Sequence, residues 1–153
     1  MHTGEYLSTL VAGNIHAGFL PVILFMLAGV MAFATGTSWG TFGIMLPIAA
    51  AMAVKVEPSL IIPCMSAVMA GAVFGDHCSP ISDTTILSST GAHCNHIDHV
   101  TSQFPYALTV AASAATGYLA LGMTGSAPLG FVVTGIVMVV LVFILKDKKK
   151  ATA

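Results

Sequence analysis

The stretch that decides the fold is Gly75-Asp76-His77-Cys78-Ser79-Pro80-Ile81-Ser82-Asp83-Thr84-Thr85. It is polar, it contains a proline, and it has an apolar run on either side: residues 59–75 before it and the shorter 86–92 after it. Residues 59–92 together are too long for one straight crossing of a bilayer, which takes about 20 residues, so the reading is a transmembrane helix broken in its middle. An unwound backbone at membrane depth is tolerated only against protein or a wet cavity, because lipid cannot satisfy its N–H and C=O groups. Carboxylates inside a span are costly and mark function by default. Asp76 and Asp83 lie on opposite sides of Pro80.

Outward from the break, the chain is built for lipid. Of its 153 residues 56% are hydrophobic and 7% charged, and the mean hydropathy is +0.92. Soluble domains carry roughly a quarter charged residues, so an ordinary globular fold is excluded. Disorder is excluded as well, since it needs low hydrophobicity and high charge. With Lys and Arg totalling 5 against 6 Asp and Glu, there is no basic surface for nucleic acid. Three cysteines are too few for a disulfide framework. No charged side chain occurs between Glu5 and Lys55, between Glu57 and Asp76, or between Asp98 and Lys146. The N-terminal stretch lacks the positive cluster and short apolar region of a signal peptide.

The expected class is therefore an all-α integral membrane protein, residues 1–153 forming a single membrane domain with about four to five transmembrane elements. Residues 15–34 and 41–54 flank a second polar interruption, Thr35-Gly36-Thr37-Ser38-Trp39-Gly40-Thr41. The second flank, at about 14 residues, is short for a crossing, so residues 15–54 read as a re-entrant hairpin. Residues 104–122 and 129–145 read as ordinary spans, with Asp98 as a candidate cap for the first. The basic tail, 146–153, places the C-terminus in the cytoplasm. Gly71 and Gly75 have the GxxxG spacing of closely packed helices.

An oxygen cage of carboxylate, hydroxyl and carbonyl groups suits a hard cation such as Na+. Burial favours a protonated carboxyl and a neighbouring cation favours its ionised form, so one aspartate can exchange H+ for Na+. Asp76 and Asp83 are the candidate carriers, with His77 as a further proton carrier. Two plainer readings stand beside this one: Ser82-Asp83-Thr84 as the N-cap of the half-helix that follows, and His77 and Cys78 as packing residues. His93, Cys94, His96 and His99 are an alternative metal cluster by residue type and spacing, which would make the chain a membrane-bound metal-dependent protein. A non-catalytic membrane subunit is the third reading.

Three runs carry a wider resemblance: ATGTSWGTFGIMLPIA (34–49), GAVFGDHCSPISDTTILSSTGA (71–92) and DHVTSQFPYAL (98–108). They resemble the NhaC family of Na+/H+ antiporters within the broad ion-transporter superfamily, and the likeness extends over nearly the whole chain. It implies a secondary transporter in the plasma (inner) membrane that exchanges Na+ for H+, with those ions as cargo and no cofactor. Malate/lactate exchange and drug efflux are alternatives among similar proteins. It also implies one half of an inverted-repeat architecture, with Thr37, Ser38, Asp76, Ser79, Asp83 and Thr84 around the ion. Similar family members are several times longer in membrane content. The expectation is therefore a C-terminal half that works with a complementary half or a second copy, its partners otherwise being the lipid bilayer, sodium and protons.

Overall fold

The computed structural model describes residues 16–151, and for 147–151 only the backbone. The described residues are helical with no strand. Six α-helices follow in order: α1 (Leu20–Thr35), α2 (Ser38–Val56), α3 (Ile61–Cys78), α4 (Asp83–Gly91), α5 (His96–Thr124) and α6 (Ala127–Ala151). Short 3-10 turns at Ala17–Phe19 and Pro58–Leu60 lead into α1 and α3. Five segments are long and apolar enough to cross a membrane: Ala17–Thr35, Ser38–Val56, Pro58–Cys78, His96–Thr124 and Ala127–Lys146. The expected all-α membrane class with four to five crossing elements is what the chain forms. The first residue of the expected 15–54 hairpin and the last two of the 146–153 tail lie outside the described residues.

The ends of the helices follow from local chemistry. α3 stops at Cys78 because Pro80 lacks an N–H and its ring would clash with the carbonyl four residues back. The residue before a proline is pushed out of the helical region, and Ser79 is extended, with φ −73° and ψ 130°. The chain stays non-helical until Ser82, itself extended, and α4 begins at Asp83. The break expected inside 59–92 is therefore present. The first interruption is much narrower than its composition suggests. Gly36 closes α1 in the left-handed conformation, φ 68°, and Thr37 is the extended N-cap of α2, its hydroxyl accepting from the Gly40 N–H at 3.4 Å. Only Gly36 and Thr37 lie outside helices. The second arm of the hairpin accordingly has 19 residues instead of about 14, enough to cross. Thr41, though polar, sits in the helix with its hydroxyl donating to the Thr37 carbonyl at 3.0 Å.

The fourth expected element is also corrected. α5 starts at His96, well before residue 104, because the Asn95 side chain accepts from the N–H groups of Ile97 (2.9 Å) and Asp98 (3.4 Å). Asn95 is the cap, and Asp98 lies in the first turn. α6 extends beyond 129–145 in both directions and carries the helix into the lysine run.

α1 and α3 are the central pair. Between lipid-embedded helices there is no hydrophobic drive to associate, so close approach depends on small residues. A Cβ on Gly71 would overlap the Phe25 carbonyl, and one on Gly75 the Gly29 carbonyl. Ala28, Ala32, Ala67 and Ala72 are fully buried. α2 covers one flank, where Met45, Ala49, Met52 and Ala53 meet Leu60, Cys64 and Val68. α5 covers the other, where Ala111 and Tyr118 join Phe25 and Ala67, and the Tyr118 hydroxyl donates to the Ser66 carbonyl at 3.0 Å. α6 lies outside α5, the small Gly117 and Gly130 marking their contact. Large apolar side chains such as Phe131, Ile136 and Phe143 on α6 face outward.

α5 runs antiparallel to α3. Gln103 reaches the His77 carbonyl at one end and Tyr118 reaches Ser66 further along. The break, the α1–α2 turn and the start of α5 therefore gather at one end of the packed helices.

Replacing Gly75 by leucine forces α1 and α3 apart; the expected result is a loss of about 3 kcal/mol or more, or no recoverable folded protein. Gly43→Ala, at a helical position with open space around it, is neutral or stabilising by up to about 1 kcal/mol. Thermal unfolding of both variants in lipid nanodiscs checks the contrast.

Candidate ion site

The two polar interruptions, separate in sequence, meet in space. Gly36 lies against Ile81, whose carbonyl oxygen would be 2.9 Å from a Cβ at Gly36. The Ser79 hydroxyl donates to the Phe33 carbonyl in the last turn of α1 at 2.8 Å, and accepts from the Ile81 N–H at 3.3 Å. Ser79 thus pins the break to the end of α1.

Between these segments sits Asp76, in the last turn of α3 and 7% exposed. Its Oδ2 accepts from the Ser38 hydroxyl at 3.1 Å. Its Oδ1 accepts from the Ser82 hydroxyl at 2.7 Å. With the Ser82 proton directed to Asp76, the Thr84 hydroxyl 2.7 Å away is the donor to Ser82 Oγ. Two carboxylate oxygens and three hydroxyl oxygens, from three different helical segments, converge here. Ser38 opens α2 and Ser82 is the N-cap of α4. Two helix N-termini, each with a partial positive charge, therefore approach the carboxylate. The C-terminus of α3 contributes carbonyl dipoles of opposite sign. Hydroxyls that donate to a carboxylate can rotate and offer lone pairs instead, which is the donor set a hard cation takes.

The broken backbone is satisfied by side chains. The His77 carbonyl accepts from the Thr85 hydroxyl at 3.3 Å and from Gln103 Nε2 at 2.7 Å. The Pro80 carbonyl lies 2.7 Å from His96 Nε2. Among the described residues, no buried side-chain nitrogen or oxygen lacks a partner.

The sequence-derived candidates separate into groups. Ser38, Asp76 and Thr84 are brought together. Ser79 is adjacent but holds the break to α1. The Thr37 hydroxyl caps α2. Asp83 is exposed, and its carboxylate accepts from the N–H of Thr84 at 2.8 Å, apart from Asp76. The His77 side chain is exposed and borders an apolar cavity of about 820 Å³ between α3 and α5, which does not include Asp76. Among the described residues, no three His, Cys, Asp or Glu side chains are grouped to share a metal ion. His96 is instead bonded to Pro80 and Ser89, and the Cys94 thiol to the Ser89 carbonyl at 3.6 Å.

A family model described as "Na+/H+ antiporter family" matches residues 1–123. The chain belongs to the Na+/H+ antiporter family. Membership, together with five apolar helices of crossing length, makes it a multi-pass membrane protein of an antiporter-type transporter family, not of an enzyme family. This antiporter-family chain is 65% identical over 148 residues to an uncharacterised protein of Haemophilus influenzae, covering 97% of the chain and 28% of the relative. It is 35% identical over 89 residues to the malate-2H(+)/Na(+)-lactate antiporter of Bacillus subtilis, covering 56% of the chain and 18% of the relative. A second Haemophilus influenzae protein, an uncharacterised Na(+)/H(+) antiporter, is 32% identical over 105 residues, covering 69% and 22%. The chain thus spans between 18% and 28% of the length of these relatives. No solved structure matches it significantly.

Ser82 is the residue that sequence reasoning missed. Its position before Asp83 reads as a helix cap, and it does occupy the N-cap, but its hydroxyl makes no capping bond and turns to Asp76 instead. The available signal was its place in the same hydroxyl-rich run as Ser79 and Thr84. Gln103, Thr85 and His96, which hold the break, carry no local signal, because their partners lie on other segments.

Ser82→Ala leaves a buried carboxylate oxygen without its shortest donor and is expected to cost about 1–3 kcal/mol. Ser88→Ala, on the exposed side of α4, should leave stability essentially unchanged. Denaturation in mild detergent, followed by helix content, distinguishes the two.

Proposed function

We propose that the chain forms part of a secondary antiporter that exchanges Na+ for H+ across the plasma (inner) membrane, with its C-terminus in the cytoplasm. Asp76 is the carboxylate that alternates between the two ions. One observation carries the reading: a buried carboxylate bonded by hydroxyls from two other helical segments at a break in the main chain, in a member of the Na+/H+ antiporter family. The chemistry is a competition. With Asp76 ionised, its two oxygens and the hydroxyls of Ser38, Ser82 and Thr84 can replace the water around a dehydrated Na+. With Asp76 protonated, the site loses the charge that offsets the cost of stripping that water. One site that holds either ion, but not both, couples their movements in opposite directions.

Asp83, exposed on the first turn of α4, gathers cations at the mouth of the site, and Thr37 and Ser79 fix its walls. Within the family the NhaC branch fits the quoted runs best. An inverted-repeat architecture would complete the enclosure with a complementary half or a second copy.

The malate-2H(+)/Na(+)-lactate antiporter relative suggests organic anion exchange as a second reading. A dicarboxylate calls for fixed positive charge. Among the described side chains the lysines are Lys55 and Lys146, neither of them in the Asp76 cage. That favours the inorganic cation for the part of the site built by these residues.

The test uses everted vesicles from cells that lack their own Na+/H+ exchangers and express the chain in its natural gene context. Addition of Na+ should dissipate a preformed proton gradient, read by a pH-sensitive dye. Asp76→Asn should reduce that response by about a hundredfold or more, as loss of a charged ligand does. Asp83→Asn should reduce it by less than about tenfold, the scale of an exposed, screened charge. Wild-type Na+-driven proton movement in Asp76→Asn would overturn the proposal, and malate-dependent movement without Na+ would favour the second reading.

A further inference from the structure

His96 belongs to a histidine-rich run that the ion site does not use, yet its ring makes two bonds to the structure around that site. Nε2 lies 2.7 Å from the Pro80 carbonyl, in the middle of the break. Nδ1 lies 3.0 Å from the hydroxyl of Ser89, a buried residue of α4. The proton inventory of these bonds is restrictive. A carbonyl only accepts, so Nε2 carries a hydrogen. The Ser89 hydroxyl has one hydrogen and lies 2.9 Å from the Ile86 carbonyl, which also only accepts. If Ser89 donates to Ile86, then Nδ1 must donate to Ser89, and His96 is an imidazolium. If His96 is neutral, the Ser89 proton cannot serve both Ile86 and Nδ1, and one bond of the chain is lost.

We propose that His96 is a positioning residue for the Asp76 site, and that its protonation tightens the bridge that holds the break to α4 and α5. The idea rests on the reading of Asp76 as the ion-exchanging carboxylate. Pro80 and Ser82 belong to the same non-helical segment, so a bridge on the Pro80 carbonyl restrains the loop that aims the Ser82 hydroxyl at Asp76 Oδ1. Protonation completes all three bonds and makes those of the ring charge-assisted, which roughly doubles their strength. Loss of the ring proton releases one bond and loosens the segment.

The other titratable groups on the surrounding elements are Cys64, Asp76, His77 and Cys78 on α3, Asp83 on α4, His93 and Cys94 in the connecting turn, and Asp98, His99, Tyr106 and Tyr118 on α5 itself. Among the described residues, the ring's hydrogen bonds go to Pro80 and Ser89 and to none of these groups.

Hydrogen–deuterium exchange of the chain in lipid nanodiscs, corrected for intrinsic rates, tests this on the peptide containing the Ser82 and Ile86 amides, which bond to the Ser79 and Ser82 carbonyls. The wild type should be about tenfold more protected near pH 5.5 than near pH 8, the scale of one charge-assisted hydrogen bond. His96→Gln, whose side-chain amide donates to Pro80 but does not titrate, should keep protection and lose the pH dependence. His96→Ala should lose protection at both pH values and need about tenfold more Na+ to protect the same peptide, with His96→Gln restoring the Na+ response. An identical pH dependence in wild type and His96→Gln overturns the proposal, as does full protection in His96→Ala. Asp76→Asn separates the two readings. It should abolish the Na+ response while leaving the His96-dependent pH effect in place. A Na+ response that survives Asp76→Asn, beside an intact pH effect, refutes the ion site and with it the positioning role. A missing pH effect beside a normal, Asp76-dependent Na+ response refutes the His96 bridge alone.

Discussion

A main chain that leaves its helix inside a membrane protein must still hydrogen-bond every polar group it exposes, and the organisation of this chain follows from how that is done between Ser79 and Ser82. Lipid offers no partners, so the partners come from other elements. α4 supplies the Thr85 hydroxyl and α5 both Gln103 and His96 to the carbonyls of His77 and Pro80, while the Phe33 carbonyl of α1 accepts from the Ser79 side chain. These three segments are held to α3 at one end of the bundle by those bonds, the carbonyls being free because Pro80 ends the helix.

The same constraint creates the chemistry. Stopping α3 at Cys78 and restarting the chain at Asp83 exposes a helix C-terminus and a helix N-terminus within a few residues, and the tight Gly36–Thr37 turn brings in the N-terminus of α2. Asp76 falls where these ends converge. Its burial is tolerable because hydroxyls donate to both of its oxygens and helix N-termini stand nearby. Ser38 can reach Asp76 only because α1, which delivers the turn, packs closely on α3 through Gly29, Gly71 and Gly75. The small-residue interface and the carboxylate cage are thus parts of one arrangement. The glycines set the separation of the helices, and that separation sets a hydroxyl–carboxylate distance.

Much of this was legible in the chain because a bilayer imposes simple rules. Charge-free runs gave the number of crossing elements, Pro80 located the break, and the spacing of Gly71 and Gly75 gave the close helix pair. Where the structure differs, the cause is the same: polarity does not imply loss of helix. Ser38 to Thr41 are helical because Thr37 caps them and Thr41 bonds back to the preceding turn. His96 to Gln103 are helical because Asn95 satisfies the first free N–H groups. Hydroxyl and amide side chains can serve helix backbone as readily as they interrupt it, and composition does not say which they do.

What the sequence determined alone is the membrane class, the break at Pro80 and the identity of the acidic residues near it, because proline geometry and the cost of charge in lipid act locally. What only the tertiary structure decided is which acid is enclosed. Asp76 and Asp83 look equivalent in sequence, seven positions apart around the same proline. Folding buries the first among Ser38, Ser82 and Thr84 and leaves the second exposed on α4. The physical reason is that a carboxylate's role depends on which donors other segments bring to it. Ser38 comes from 38 positions away along the chain, a separation at which no local pattern has a say.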